Sequence, residues 1–199
     1  MKKLKLSLLA ASLMAAAGAT NAATFGFGTL LSGSYQPTDQ FATLTVDQLS
    51  GTTFNYSLTS NDLNAIFNSG AFIGSLANDL ITDPALPSIS NISGGGVTAV
   101  DTSPGSGPGG NWEFRFDFGQ GSADRLLANE TVSWRATFGE SVAYTGDMFA
   151  LHVQGLSEAN GGSAWYVPPP IPEPQTYAMM LAGLGLLGFA RLRRSKKEQ

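Results

Sequence analysis

In FATLTVDQL, apolar Ala42, Leu44 and Val46 alternate with polar Thr43, Thr45 and Asp47, and TTFNYSLTS places Phe54, Tyr56 and Leu58 on one face. A period of two belongs to a strand with one face buried and the other wet, whereas a helix needs apolar residues three and four apart. The alternation recurs in WEFRFDF, TVSWRATF and MFALHVQGL; AFIGSLAND and VTAVD read as further strands, and loops rich in Gly, Ser, Asn and Pro separate them all. Ser50-Gly51 between the first two runs reads as a hairpin turn. Only DLNAIFN, Asp62 to Asn68, reads as a helical turn, with Ser60 or Asn61 as its cap. Seven or eight short antiparallel strands predict an all-β fold, an antiparallel β-sandwich for which a jelly roll is one arrangement. No repeat of fixed period marks a solenoid or propeller.

Such a domain must hold without crosslinks, because the 199 residues contain no cysteine. About 140 residues of sandwich bury enough surface to do so. The same absence removes a thiolate metal site and a cysteine nucleophile. Charged residues make up 13% of the chain and glycines number 24, a composition suited to a secreted all-β protein.

Both ends differ from the middle. Residues 1–22 place Lys2, Lys3 and Lys5 ahead of the apolar LSLLAASLMAAAGA and end on Thr20-Asn21-Ala22. This is the arrangement of a secretory signal peptide, too short and Ala-rich for a membrane anchor, with cleavage expected after Ala22 and Ala19 as the alternative. Between Ala23 and Pro172 there are 13 Asp and Glu against Arg115, Arg125 and Arg135, a net charge of −10. An exported region of that sign lacks the clustered Lys and Arg that phosphate binding needs, so nucleic acid is not expected as a partner.

At the other end, VPPPIPEPQ carries five prolines between Pro168 and Pro174, which favours an extended polyproline II spacer. Fourteen uncharged residues follow, YAMMLAGLGLLGFA from Tyr177 to Ala190, and then RLRRSKK. That run is shorter than the ~20 residues of an ordinary span, but Tyr177 at one interface and the stem of Arg191 at the other extend it. No polar face recurs at helical spacing, which argues against an amphipathic core helix. The expectation is a short transmembrane helix stopped on the cytoplasmic side by Arg191, Arg193, Arg194, Lys196 and Lys197. Four regions result: signal peptide 1–22, extracellular sandwich 23–167, proline linker 168–175 and sorting segment 176–199.

Pro172-Glu173-Pro174, a short Gly- and Leu-rich segment and a C-terminal Arg cluster together resemble the PEP-CTERM sorting signal of bacterial proteins. That resemblance covers about 25 residues. It implies recognition by an exosortase, a multi-spanning membrane enzyme, after export through the secretory translocon. It also implies a Gram-negative, exopolysaccharide-producing cell, an inner-membrane intermediate, and delivery to the envelope, outer surface or extracellular matrix. GAFIGSLANDL and FALHVQGL with GGSAWYV resemble, more weakly, segments of other such proteins, without an assigned chemistry.

Catalytic motifs do not assemble in the middle. GSGPGG, Gly105 to Gly110, satisfies G-x-G-x-x-G, but Pro108 interrupts it and a strand follows, so it reads as a hairpin loop. His152 is the sole histidine and has no G-x-S-x-G elbow beside it. Glu113, Asp117, Glu130 and Glu140 offer material for a glycosidase pair without any pattern that pairs them. Asn61, Asp62, Asn78, Asp79 and Asp83 offer oxygen ligands for calcium, but no EF-hand loop occurs. Trp112, Phe114, Phe116 and Phe118 share a strand face that suits a core. Exposed tryptophans stack on sugars, which makes Trp112, Trp134 and Trp165 the candidate glycan contacts. The reading is a non-catalytic surface or matrix protein associated with exopolysaccharide, without a cofactor or metal. A carbohydrate-binding module and a matrix-polymer hydrolase are its alternatives.

Overall fold

The structure, a computed structural model, describes residues 21–169 apart from 69, 82, 106, 110–111, 120, 122–123 and 145–148. The chain divides into two compact units at Pro168 and Pro169; the sequence readings for residues 1–20 and 170–199 lie outside the described residues. Among those described, no helix is long and apolar enough to cross a membrane.

Among the described residues eleven strands form: β1 (Asn21–Phe27), β2 (Thr29–Ser32), β3 (Ala42–Gln48), β4 (Thr53–Ser60), β5 (Phe72–Asn78), β6 (Ser88–Ser93), β7 (Val100–Pro104), β8 (Phe114–Phe118), β9 (Thr131–Thr137), β10 (Phe149–Gln154) and β11 (Ser163–Val167). They make a five-stranded sheet, β1-β3-β4-β9-β6, and a six-stranded sheet, β2-β11-β10-β5-β8-β7. Every pairing is antiparallel. The fold of the described residues is therefore an all-β sandwich with almost no helix, one short α1 (Leu63–Phe67) and a 3-10 turn (Glu158–Asn160) being the exceptions among them.

The alternations seen in the sequence set the inward faces. Ala42, Leu44 and Val46 of β3 and Phe54, Tyr56 and Leu58 of β4 are all buried, while the residues between them are not. Phe114, Phe116 and Phe118 face them from the other sheet. Tilted and edge-on ring contacts run through the layer between, from Phe41 against Tyr166 (4.9 Å) through Phe116 against Trp134 (5.2 Å) to Phe54 against Phe138 (5.9 Å). Edge-to-face geometry sets the positive rim of one ring on the negative face of the next, which favours it over a face-to-face sandwich.

Several expectations need adjusting. Four strands beyond the anticipated set appear, β1, β2, β6 and β11, and VTAVD contributes to β7 only from Val100 onward. β1 begins at Asn21, two residues before the anticipated start of the domain, pairing Ala22 with Asp47. The cap of α1 is Asp62, whose Oδ1 accepts from Ala65 N at 3.1 Å. Ser60 is instead buried and donates its hydroxyl to the carbonyl of Leu127. Asn61 donates to Gln40 O at 2.8 Å. Trp112 lies outside β8 and is half-buried, so it does not extend the aromatic face of that strand.

Candidate functional site

The glycine stretch of residues 105–110 joins β7 to β8, which pair antiparallel, so it is a hairpin loop rather than the opening of a helix. Trp112 is engaged by that loop: its indole Nε1 donates to Pro108 O at 2.8 Å, and a Cβ added at Gly107 would lie 2.3 Å from its ring. Glycine at 107 leaves room for the indole at that close approach. The three tryptophans thus have three different settings. Trp134 is 2% exposed, stacked on Tyr56 at 5.1 Å and 6°, which removes it from any surface contact. Trp165 is half-buried on the outer face of the six-stranded sheet, stacked on His152 at 4.4 Å and 10°.

His152 lies directly opposite Trp165 on one side and Ser75 on the other, and Ser75 in turn lies opposite Asp117. This row does not have triad order, since serine stands between the other two. Asp117 is held within its own sheet, accepting from Arg115 Nε at 2.5 Å and from Ser103 Oγ at 2.5 Å. Burial first, and then the positive charge of Arg115, lower the His152 pKa to about 4, with Asp117 opposing both. The neutral imidazole is thereby kept in the folded state. Between pH 6.5 and 4 the unfolded chain takes up a proton there that the folded chain does not, so stability falls on acidification through that window and is level above it. After discounting for the partial exposure of the ring, this contribution is about 1–2 kcal/mol. Urea unfolding at pH 4.5 and 7.5 should show His152→Gln losing less stability than the wild type on acidification; equal losses would contradict the assignment.

The carboxylates are dispersed. Glu113 accepts from Leu80 N at 2.7 Å, Glu130 accepts from Leu127 N at 2.8 Å, and Glu140 is exposed. Glu113 and Asp117 lie four positions apart along one chain direction, about 13 Å at strand rise, beyond the ~5–9.5 Å that glycosidase pairs keep. Asp79 is raised by burial and by the charge and hydrogen bond of Glu113, contact closer than such a pair uses. Among the described residues no three His, Asp or Glu side chains gather.

A groove that sequence reasoning did not anticipate lies on the outer face of the five-stranded sheet. Thr45 and Asp47 of β3, Asn55 and Ser57 of β4, Ser133 and Arg135 of β9 and Asn91 of β6, with the inward-facing Tyr56 and Trp134 between them, line about 250 Å³ of space. Register brings them together: Asp47 lies opposite Asn55, and Asn55 opposite Arg135; Thr45 lies opposite Ser57, and Ser57 opposite Ser133. Arg135 Nε donates to Asn55 Oδ1 at 2.9 Å, and Ser133 Oγ to Ser57 Oγ at 3.1 Å. The β6 pairing slips between Ser90 and Ser93, and Asn91 there takes φ 50-range left-handed geometry, at 54°. Such a bulge bends an edge strand and re-aims its side chains.

Residues 170–194 match the family model of the PEP-CTERM protein-sorting motif. The motif implies an exported protein, membrane-anchored before an exosortase processes it. No curated protein matches the chain, and no solved structure does.

Proposed function

We propose that this is a non-catalytic protein of the cell surface or extracellular matrix of a Gram-negative bacterium, associated there with exopolysaccharide. The carrying observation is the sorting motif at residues 170–194 behind a sandwich whose outer sheet face is built of hydroxyls and amides. In this reading residues 1–22 are a signal peptide, 23–167 the extracellular domain, 168–175 the linker and 176–199 the membrane-spanning sorting segment. Pro172, Glu173 and Pro174 are the sorting motif. Arg191, Arg193, Arg194, Lys196 and Lys197 hold the tail on the cytoplasmic side. Cleavage after Ala22 leaves Ala23–Phe27 paired with Ala42–Val46 and retains the buried Phe25 and Phe27. The scattered carboxylates favour binding over hydrolysis. A carbohydrate-binding module is the nearest alternative, and the groove and Trp165 favour it.

Intact mass and size exclusion of the protein recovered from the producing cells test this. The expected product begins at Ala23, lacks the segment 177–199 and elutes with the polysaccharide fraction. A cytosolic protein with residues 1–22 still attached would overturn it.

A further inference from the structure

We propose that the groove between β3 and the bulge of β6 binds a neutral polyhydroxylated chain, a saccharide with adjacent free hydroxyls, through Asp47 and Arg135. The proposal deepens the exopolysaccharide reading and rests on it only for the source of the natural ligand.

The chemistry of the lining selects that ligand. Strand alternation sends Leu44, Val46, Tyr56, Leu58, Val132, Trp134 and Ala136 inward, leaving a wet face of Thr, Ser, Asn, Asp and Arg. None of the groove's outward side chains is aromatic, so a bound ring is held by hydrogen bonds rather than by stacking. Asp47 Oδ1 has no hydrogen-bond partner and is shielded from solvent, an arrangement that buried acceptors seldom keep, so a ligand hydroxyl meets it once the side chain turns outward. A carboxylate accepts two hydroxyl donors at once, which suits a vicinal diol. Two strands away, about 10 Å at sheet spacing, Arg135 is anchored through Nε to Asn55, and its terminal nitrogens are the groove's strongest donors. Thr45, Ser57 and Ser133 lie between these charges and both donate and accept.

Charge argues for a neutral ligand over an acidic one. The groove balances one carboxylate with one guanidinium, while residues 23–172 carry a net charge of −10 that repels a polyanion before contact. Volume sets the scale. About 250 Å³ falls below the ~300–1,000 Å³ of drug-sized sites, so the groove holds one ring of a chain at a time. Affinity for a polymer then accrues from many weak engagements at neighbouring rings and neighbouring molecules.

Affinity electrophoresis of the full-length chain in detergent, in native gels containing dextran, galactomannan or alginate, tests the proposal. Retardation by a neutral polymer and not by polyanionic alginate is expected. Asp47→Ala and Arg135→Met should each weaken it about tenfold, the loss of one hydrogen bond to a charged group. Glu158→Ala, in the exposed 3-10 turn between β10 and β11, should leave it unchanged. Absence of retardation by both neutral polymers, or retardation equal to wild type in both groove variants, would overturn it. Thermal unfolding checks that the variants are folded; if either is not, Asp47→Asn and Arg135→Lys take their place under the same criterion. Variants that still elute with the cells' own exopolysaccharide would sink the groove alone, whereas a wild-type protein absent from that fraction would sink the wider reading.

Discussion

Trp134→Ala is expected to destabilise the sandwich by about 4 kcal/mol, the usual range for removing a buried tryptophan. The indole has Tyr56 stacked on it and Phe116 and Phe118 at its edges, 5.2 and 5.5 Å between centroids. Truncation leaves a cavity bounded by three rings from two different sheets, and these cannot close together without shifting strands that are pinned by their ladders. Since domains of this size keep ~5–15 kcal/mol in total, the change removes a large share of it. A melting temperature lower by about 8–16 °C follows for a chain of this length. Trp165→Ala is the internal control, and its cost should be at most about half as large, because it removes one half-exposed ring from an outer face. Circular dichroism melts of both variants decide it. Equal shifts would mean that Trp134 is not the centre of the core.

The contrast between those tryptophans shows what was legible in the sequence. Strand parity assigns them: Trp134 shares its face with Val132 and Ala136, all buried, whereas Trp165 stands between buried Ala164 and Tyr166 and so points outward. β3, β4, β8 and β9 were readable because each buries one face only, and that asymmetry is what a period of two records. β6 was not, because SISNIS carries serine on both faces and is mostly exposed, with only Ile89 and Ile92 packed on the core. β1 was hidden because its first residues complete the leader pattern and its strand continues across that boundary. The groove was invisible for a different reason. Asp47, Asn55, Asn91 and Arg135 come from four strands, and only ladder register together with a one-sided slip in β6 makes them neighbours.

Replacing Pro172, Glu173 and Pro174 with alanine is expected to reduce processing of the exported chain to a trace and to leave precursor in the membrane fraction. The motif lies within the matched segment 170–194. Two properties of this sequence stand out: prolines fix φ near −65° and donate no hydrogen bond, which disfavours a helix, and it carries one charge. Glu173 is the single charged residue between Glu158 and Arg191. Alanine reverses both properties, because it is the strongest helix former and carries no charge. Two partial variants separate the contributions. Glu173→Gln keeps the open backbone and removes the charge, and the double variant Pro172→Ala with Pro174→Ala keeps the charge and releases the backbone. If conformation dominates, the double variant accumulates precursor like the triple while Glu173→Gln is processed; if charge recognition dominates, the order reverses. Immunoblots of membrane and extracellular fractions read the ratio. Wild-type processing of the triple variant would show that residues 172–174 are not what the processing enzyme recognises.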